Sequence, residues 1–144
     1  MTLVPLLSVR DVHRDYARSG TAVHAVRGVS LDVMRGEYVA IVGPSGCGKS
    51  TLLNLFGAID RPTRGAVGIG GTAVSSLSDR DATRFRLTNI GFVFQRFYLL
   101  PVLTARENVE LPMAEAKVAQ RERRERAREL LGYELPLDGL QYWV

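Results

Sequence analysis

Gly43-Pro44-Ser45-Gly46-Cys47-Gly48-Lys49-Ser50 has a glycine, four free positions, and then Gly-Lys-Ser. That is the spacing of a loop that cradles phosphate. The chemistry asks for these residue types. Glycines let backbone N–H groups turn inward and approach phosphate oxygens with no Cβ in the way. The helix that follows adds the positive end of its dipole to the same anion. Lys49 brings a positive charge on a long stem, suited to β- and γ-phosphates. Ser50 offers a hydroxyl to magnesium, a hard cation that prefers oxygen. The candidate nucleotide-binding residues are therefore Gly43, Pro44, Ser45, Gly46, Cys47, Gly48, Lys49, Ser50 and Thr51, with Lys49 also a candidate for catalysis and Ser50 for the metal. Cys47 fills a free position of the motif. It is either a tolerated small residue or, beside Lys49 and a helix N-terminus, a reactive thiol.

A cradle of this kind needs a strand before it and a helix after it, and the sequence offers both. Tyr38-Val39-Ala40-Ile41-Val42 is a continuous apolar run, predicted to be a strand buried on both faces. Lys49 to about Gly57 reads as the helix. The Met34–Glu37 segment reads as a turn. Upstream, Leu6–Val12 suits a first strand, and Val29, Leu31 and Val33 alternate with Ser30 and Asp32 at the period of a half-buried strand. Downstream, Arg61–Gly65 is a turn and Ala66–Gly70 a glycine-diluted strand. Ser78 with Asp81 is a capping-box pattern opening a short helix through Leu87. Ile90–Phe94 reads as another apolar strand. Thr104 with Glu107 gives a second capping box, and Pro112 suits the first turn of a longer helix through about Leu131. Gly132–Val144 shows no clear period.

The bulk numbers bound the function class. With 144 residues, 46% hydrophobic and 24% charged, the chain is one ordinary globular domain in size and composition. It has no apolar run long enough to cross a membrane, and its first residues lack the basic n-region of a secretory signal. One cysteine excludes an internal disulfide and fits a reducing cytosol. The net charge of +4 is concentrated in Lys117–Arg128, KVAQRERRERAR. Glutamates are interleaved there, and Glu122 stands four residues before Arg126, the favourable order for a helical ion pair. The segment reads as a solvated helix face, with no nucleic acid implied.

From Gly28 to Thr51, GVSLDVMRGEYVAIVGPSGCGKST resembles the ATP-binding subunits of ABC transporters, as do Arg61–Gly65 and Gly71. Gly91–Met113, GFVFQRFYLLPVLTARENVELPM, is similar to the Q-loop region of the lipoprotein-release and macrolide-export subfamily. The resemblance runs from about Leu6 to Leu131. It implies an α/β P-loop NTPase fold of the ABC nucleotide-binding type, with ATP and magnesium as ligands. It also implies a transmembrane permease subunit and a second nucleotide-binding subunit as partners, on the cytoplasmic face of the cell membrane. Gln95 falls on the Q-loop glutamine, which the resemblance gives a catalytic and magnesium-contacting role; taken alone it would be a solvated loop glutamine. Tyr16 falls where the family stacks an aromatic on adenine, although a tyrosine near a strand end is also ordinary surface packing. Phe97, Tyr98, Leu99 and Leu100 either meet the membrane partner's coupling helix or pack internally.

The same resemblance implies elements that these residues do not contain. No L-S-G-G-Q signature loop occurs, no Asp-Glu pair, and no histidine after the phosphate loop, since His13 and His24 both precede it. The expected organisation is one partial domain over 1–144, the fold's front half, stopping short of the signature loop and the acidic strand. Its parts are a β region over 1–36, a phosphate-loop core over 37–111, and the start of a helical subdomain with a divergent tail over 112–144. Nucleotide binding without turnover is the expected behaviour. Two other readings stand beside it: a non-catalytic fragment that only engages the transporter, and a different P-loop enzyme such as a kinase or GTPase. The chain has no guanine-reading Asn-Lys-x-Asp.

Overall fold

A computed structural model describes residues 4–18, 21–96 and 98–132. Its contacts divide the chain into two compact units, Met1–Arg86 and Leu87–Val144. The boundary falls inside the expected 37–111 segment.

The first unit is built on an antiparallel sheet. Strands β1 (Leu7–Arg18) and β2 (Thr21–Val33) form a long ribbon, β3 (Arg64–Ile69) pairs with the other edge of β1, and the short β4 (Thr72–Ala73) follows β3. The order is β2-β1-β3-β4. Both ribbon strands run well past the expected Leu6–Val12 and Val29–Val33. Register irregularities at Val9/Val12, Val12/Arg14 and Arg14/Asp15 break the two-residue alternation, which hides the strand from periodicity in the middle of the ribbon. A 3₁₀ turn, Val74–Ser76, closes this end of the sheet.

Helix α1 (Lys49–Phe56) lays Leu55 into the core with Val9, Val12, Val26, Ala58, Val67 and Val74. Leu52 and Phe56, on the same side of the helix as Leu55, and Phe85 of α2 (Asp79–Asn89) pack against that cluster. The helix ends in a Schellman arrangement. Ile59 N–H donates to Asn54 O at 2.9 Å and Ala58 N–H to Leu55 O at 3.2 Å, with Ala58 at a left-handed φ of 53°. Helix α2 opens as the Ser78–Asp81 pattern predicts, the Asp81 N–H donating to the Ser78 hydroxyl at 3.1 Å. It continues two residues past the expected Leu87.

Two expected strands are absent from the sheet. Tyr38–Val42 has no regular secondary structure and no ladder partner among the described residues, and Tyr38 and Val42 are 97% and 86% exposed. Ile90–Phe94 is likewise irregular, half-buried at Ile90 and exposed from Gly91 on. An apolar run becomes a buried parallel strand only where neighbours cover its edges and faces, and the described residues supply none.

The second unit contains α3 (Ala105–Glu115) and α4 (Gln120–Leu131). The single helix expected from Pro112 to Leu131 is therefore two. Thr104 caps α3 with a full capping box: its side chain accepts the Glu107 N–H at 3.2 Å, and Glu107 accepts the Thr104 N–H at 2.8 Å. This start is upstream of Pro112, which lies inside α3 near its end. The chain then turns through Lys117 at φ 61°, with Val118 N–H on Met113 O at 3.0 Å and Lys117 N–H on Ala114 O at 2.9 Å. That is a second Schellman stop, made without glycine. On α4 the expected Arg126–Glu122 pair forms at 2.5 Å, and Arg123 and Arg106 both approach Glu110 of α3.

Candidate phosphate-binding site

The loop between Val42 and α1 takes its shape from one close approach. Gly48 sits at φ 94°, and a Cβ built on it would lie 2.2 Å from the Ala25 carbonyl oxygen. Ala25 is the residue skipped in the β1–β2 register between Val26 and His24, so the bulge in β2 is what brings backbone against backbone here. Only glycine fits that gap and that φ. Immediately afterwards Leu52 N–H bonds to Gly48 O at 2.9 Å, the first bond of α1. The N–H groups of Lys49, Ser50 and Thr51 precede it and have no carbonyl within the helix to bond. Together with the dipole of α1 they make this end of the helix electropositive.

Lys49 folds back over the loop. Its Nζ donates to Gly43 O at 2.8 Å and to Pro44 O at 2.7 Å, and stands 3.7 Å from Cys47 Sγ. The ammonium is thus held over the loop, where its positive charge favours an anion. Ser50 is exposed in the first turn, Thr51 half-buried beside it, and Cys47 is a free, exposed thiol. A cleft of about 870 Å³ opens over the loop, walled by Val23, Ala25 and Val26 of β2 and by Ile41 and Val42. Backbone donors, one ammonium and one hydroxyl oxygen at a helix N-terminus form a donor set that fits a phosphate chain carrying a hard divalent cation.

Tyr16 is not among the residues walling this cleft. It is the cross-strand partner of Val23, which is. Its hydroxyl donates to Asp60 Oδ2 at 2.7 Å, and the Arg14 guanidinium covers one face of its ring at 4.5 Å from the centroid. Arg14 Nε donates to the same Asp60 oxygen at 2.8 Å. Burial works to raise the Asp60 carboxyl, but the Tyr16 hydroxyl, the Arg61 N–H and Arg14 outweigh it and hold the group below the usual carboxylate range. Sequence reasoning missed Arg14 and Asp60. The i, i+2 spacing of Arg14 and Tyr16 on one strand face was a usable signal; Asp60, 44 residues from Tyr16, gave none.

Gln95 belongs to the second unit, exposed at a bend directly after Phe94. Phe92 and Phe94 stack at 5.6 Å with Tyr98 edge-on to Phe94 at 5.0 Å. Tyr98, Leu99 and Leu100 are exposed, which answers against internal packing for these three; Phe97 lies outside the described residues. Among the described residues, no group of acidic, histidine or cysteine side chains is arranged to hold a metal by itself, and no helix is long and apolar enough to cross a membrane.

The family model described as "ABC transporter" matches residues 26–139. An uncharacterized ABC transporter ATP-binding protein of Thermotoga maritima is 53% identical over 88% of this chain and 54% of its own length. The Escherichia coli macrolide export ATP-binding/permease protein MacB is 43% identical over 90% of this chain but only 20% of its own length. Among solved structures, the ATP-binding cassette MJ0796 in a dimeric, post-hydrolysis state bound to ADP and Pi aligns with a TM-score of 0.80 at 43% identity. That alignment covers 87% of this chain and 55% of the other. The chain thus spans about half the length of its single-cassette relatives.

Proposed function

The chain belongs to the ABC transporter family, as an ATP-binding cassette sequence of the P-loop NTPase fold, and we propose that it binds magnesium–ATP at the Gly43–Thr51 loop. The observation that carries this is the Lys49 ammonium held between Gly43 O and Pro44 O, over a helix N-terminus that opens into a cleft. In this reading the backbone N–H groups of the loop and the first turn of α1 hold the phosphates, and Lys49 neutralises charge on the outer two. Ser50 is the protein's oxygen for magnesium, and the resemblance gives Gln95 a magnesium-contacting and water-orienting role. Magnesium, once bound, would offset the charge of the phosphate oxygens. Tyr16 takes the adenine base.

Turnover needs more. Phosphoryl transfer to water depends on an oriented nucleophile and on charge stabilisation around it, and the 144 residues contain neither an Asp-Glu pair nor a signature loop. The chain by itself therefore binds nucleotide weakly and does not hydrolyse it at a useful rate. Its setting is the cytoplasmic face of a membrane, beside a permease and a second cassette. MacB relatives that carry cassette and permease together and a cassette solved as a dimer support that setting. The exposed side chains of Phe92, Phe94, Tyr98, Leu99 and Leu100 favour a second reading, in which the chain contributes contacts with the permease and no chemistry.

Titration with a fluorescent ATP analogue, with and without magnesium, decides between them. Saturable, magnesium-dependent binding that Lys49→Ala removes is the expected result. Co-purification with a permease in the absence of any nucleotide binding would favour the second reading. Hydrolysis by the pure chain that Lys49→Ala abolishes would overturn the claim that it does not turn over.

A further inference from the structure

Tyr16 is locked to the far end of the phosphate-binding helix. Asp60 follows the Schellman stop of α1, and its own N–H is fixed on Asn54 O at 3.1 Å. Its Oδ1 accepts the Arg61 N–H at 2.7 Å, and its Oδ2 accepts both the Tyr16 hydroxyl and Arg14 Nε. Arg14 and Asp60 pair with side chains 25% and 22% exposed, so the pair is sheltered from much of the screening that weakens surface ion pairs. Arg14 Cζ then stands over one face of the Tyr16 ring, 4.5 Å from its centroid. The helix whose N-terminus faces the phosphate loop therefore also fixes, through its C-terminal turn, the tilt and height of the aromatic on β1.

We infer that Arg14 and Asp60 are positioning residues for nucleobase recognition, holding the Tyr16 ring at a set distance from the phosphate loop although neither touches the nucleotide. This rests on the reading above that Tyr16 stacks on the base. Two features support it. Val23, the strand neighbour of Tyr16, walls the cleft, so a base reaching beyond Val23 meets β1 at Tyr16. A planar cation on one face of the ring leaves the other as the stacking face and draws electron density away from it, which suits an electron-rich purine. A ring already anchored at its hydroxyl loses little freedom when a base arrives.

The test compares ATP with inorganic tripolyphosphate, which has the phosphates and no base, on the whole 144-residue chain. The quantity read is the ratio of the two affinities. Tyr16→Ala is expected to lower that ratio about tenfold or more, the scale of one base–aromatic stack. Tyr16→Phe keeps the ring and removes only the anchor to Asp60. It is expected to lower the ratio by about threefold to tenfold, as is Asp60→Asn, with Arg14→Lys less affected than Arg14→Ala. If Tyr16→Phe and Asp60→Asn keep the wild-type ratio while Tyr16→Ala loses it, the positioning role is wrong and the stacking reading survives. If Tyr16→Ala keeps the ratio, the stacking reading fails and the positioning role with it. Equal loss of ATP and tripolyphosphate in Asp60→Asn would mean a general structural role, and would also overturn the inference. A wild-type chain that binds neither ligand would sink the nucleotide reading itself.

Discussion

At Gly48 the space for a side chain is already filled by the Ala25 carbonyl, 2.2 Å from where a Cβ would stand, and the backbone is left-handed at φ 94°. Gly46 shares the left-handed backbone, φ 79°, but a Cβ there meets nothing within 4 Å. The two substitutions should therefore separate strain from collision. Gly46→Ala is expected to cost about 1–2 kcal/mol of backbone strain and to weaken nucleotide binding modestly. Gly48→Ala adds a backbone clash that must push β2 and α1 apart, so saturable binding should vanish and the melting transition fall further. Equal effects of the two in titration and thermal melting would show that the β2 bulge does not shape the loop. The loop's residue types and spacing were readable from the sequence because each answers a local demand of phosphate. The contact that makes Gly48 indispensable was not, because it is made by a strand bulge more than twenty residues upstream. The same holds for Asp60, whose partners Arg14 and Tyr16 are reached only through the fold.

Capped helix starts were legible, as were the ends near Gly57 and Leu131, but the break between α3 and α4 was not. Ser78 and Thr104 announced α2 and α3 through side chains that satisfy free N–H groups one turn later. The bonds from Thr104 N–H and hydroxyl, the larger influences, hold the Glu107 carboxyl below its usual range. The break between α3 and α4 carried no such mark, because the left-handed position of its Schellman stop is Lys117 where glycine is usual. Lysine there holds a conformation that costs roughly 1 kcal/mol relative to glycine, and its side chain is exposed, with nothing packed to lose. Lys117→Gly should therefore stabilise the α3–α4 hairpin by about 1 kcal/mol, read as a rise in helical signal near the top of the thermal transition. A fall would mean that the greater freedom of glycine in the unfolded chain outweighs the relief. Ala58 occupies the equivalent position after α1 but is 8% exposed in the core, so the same change there forfeits packing and is not a clean comparison.

For the molecule as a whole, the decisive fact is apolar backbone without sheet neighbours. Tyr38–Val42 has the composition of a strand covered on both faces, yet Tyr38, Val39 and Val42 are 97%, 53% and 86% exposed. In the second unit Val93 is fully exposed and Phe94 54% exposed. The strand pattern was readable in both places; strand formation was not, since it depends on partners and not on the segment's own composition. The Thermotoga maritima relative, of which this chain spans 54%, carries nearly as much sequence again. An unpaired, uncharged, β-prone segment is a template for another chain. The expected behaviour in solution is therefore concentration-dependent self-association through these segments, visible by light scattering after size exclusion. Val39→Lys and Val93→Lys place a charge within each segment and should shift the chain toward monomer in an additive way. A wild-type chain that elutes as a sharp monomer over a hundredfold range of concentration would show that the exposed runs are shielded. Association that neither lysine reduces would place the sticky surface elsewhere, with the Tyr98–Leu100 patch the next to test.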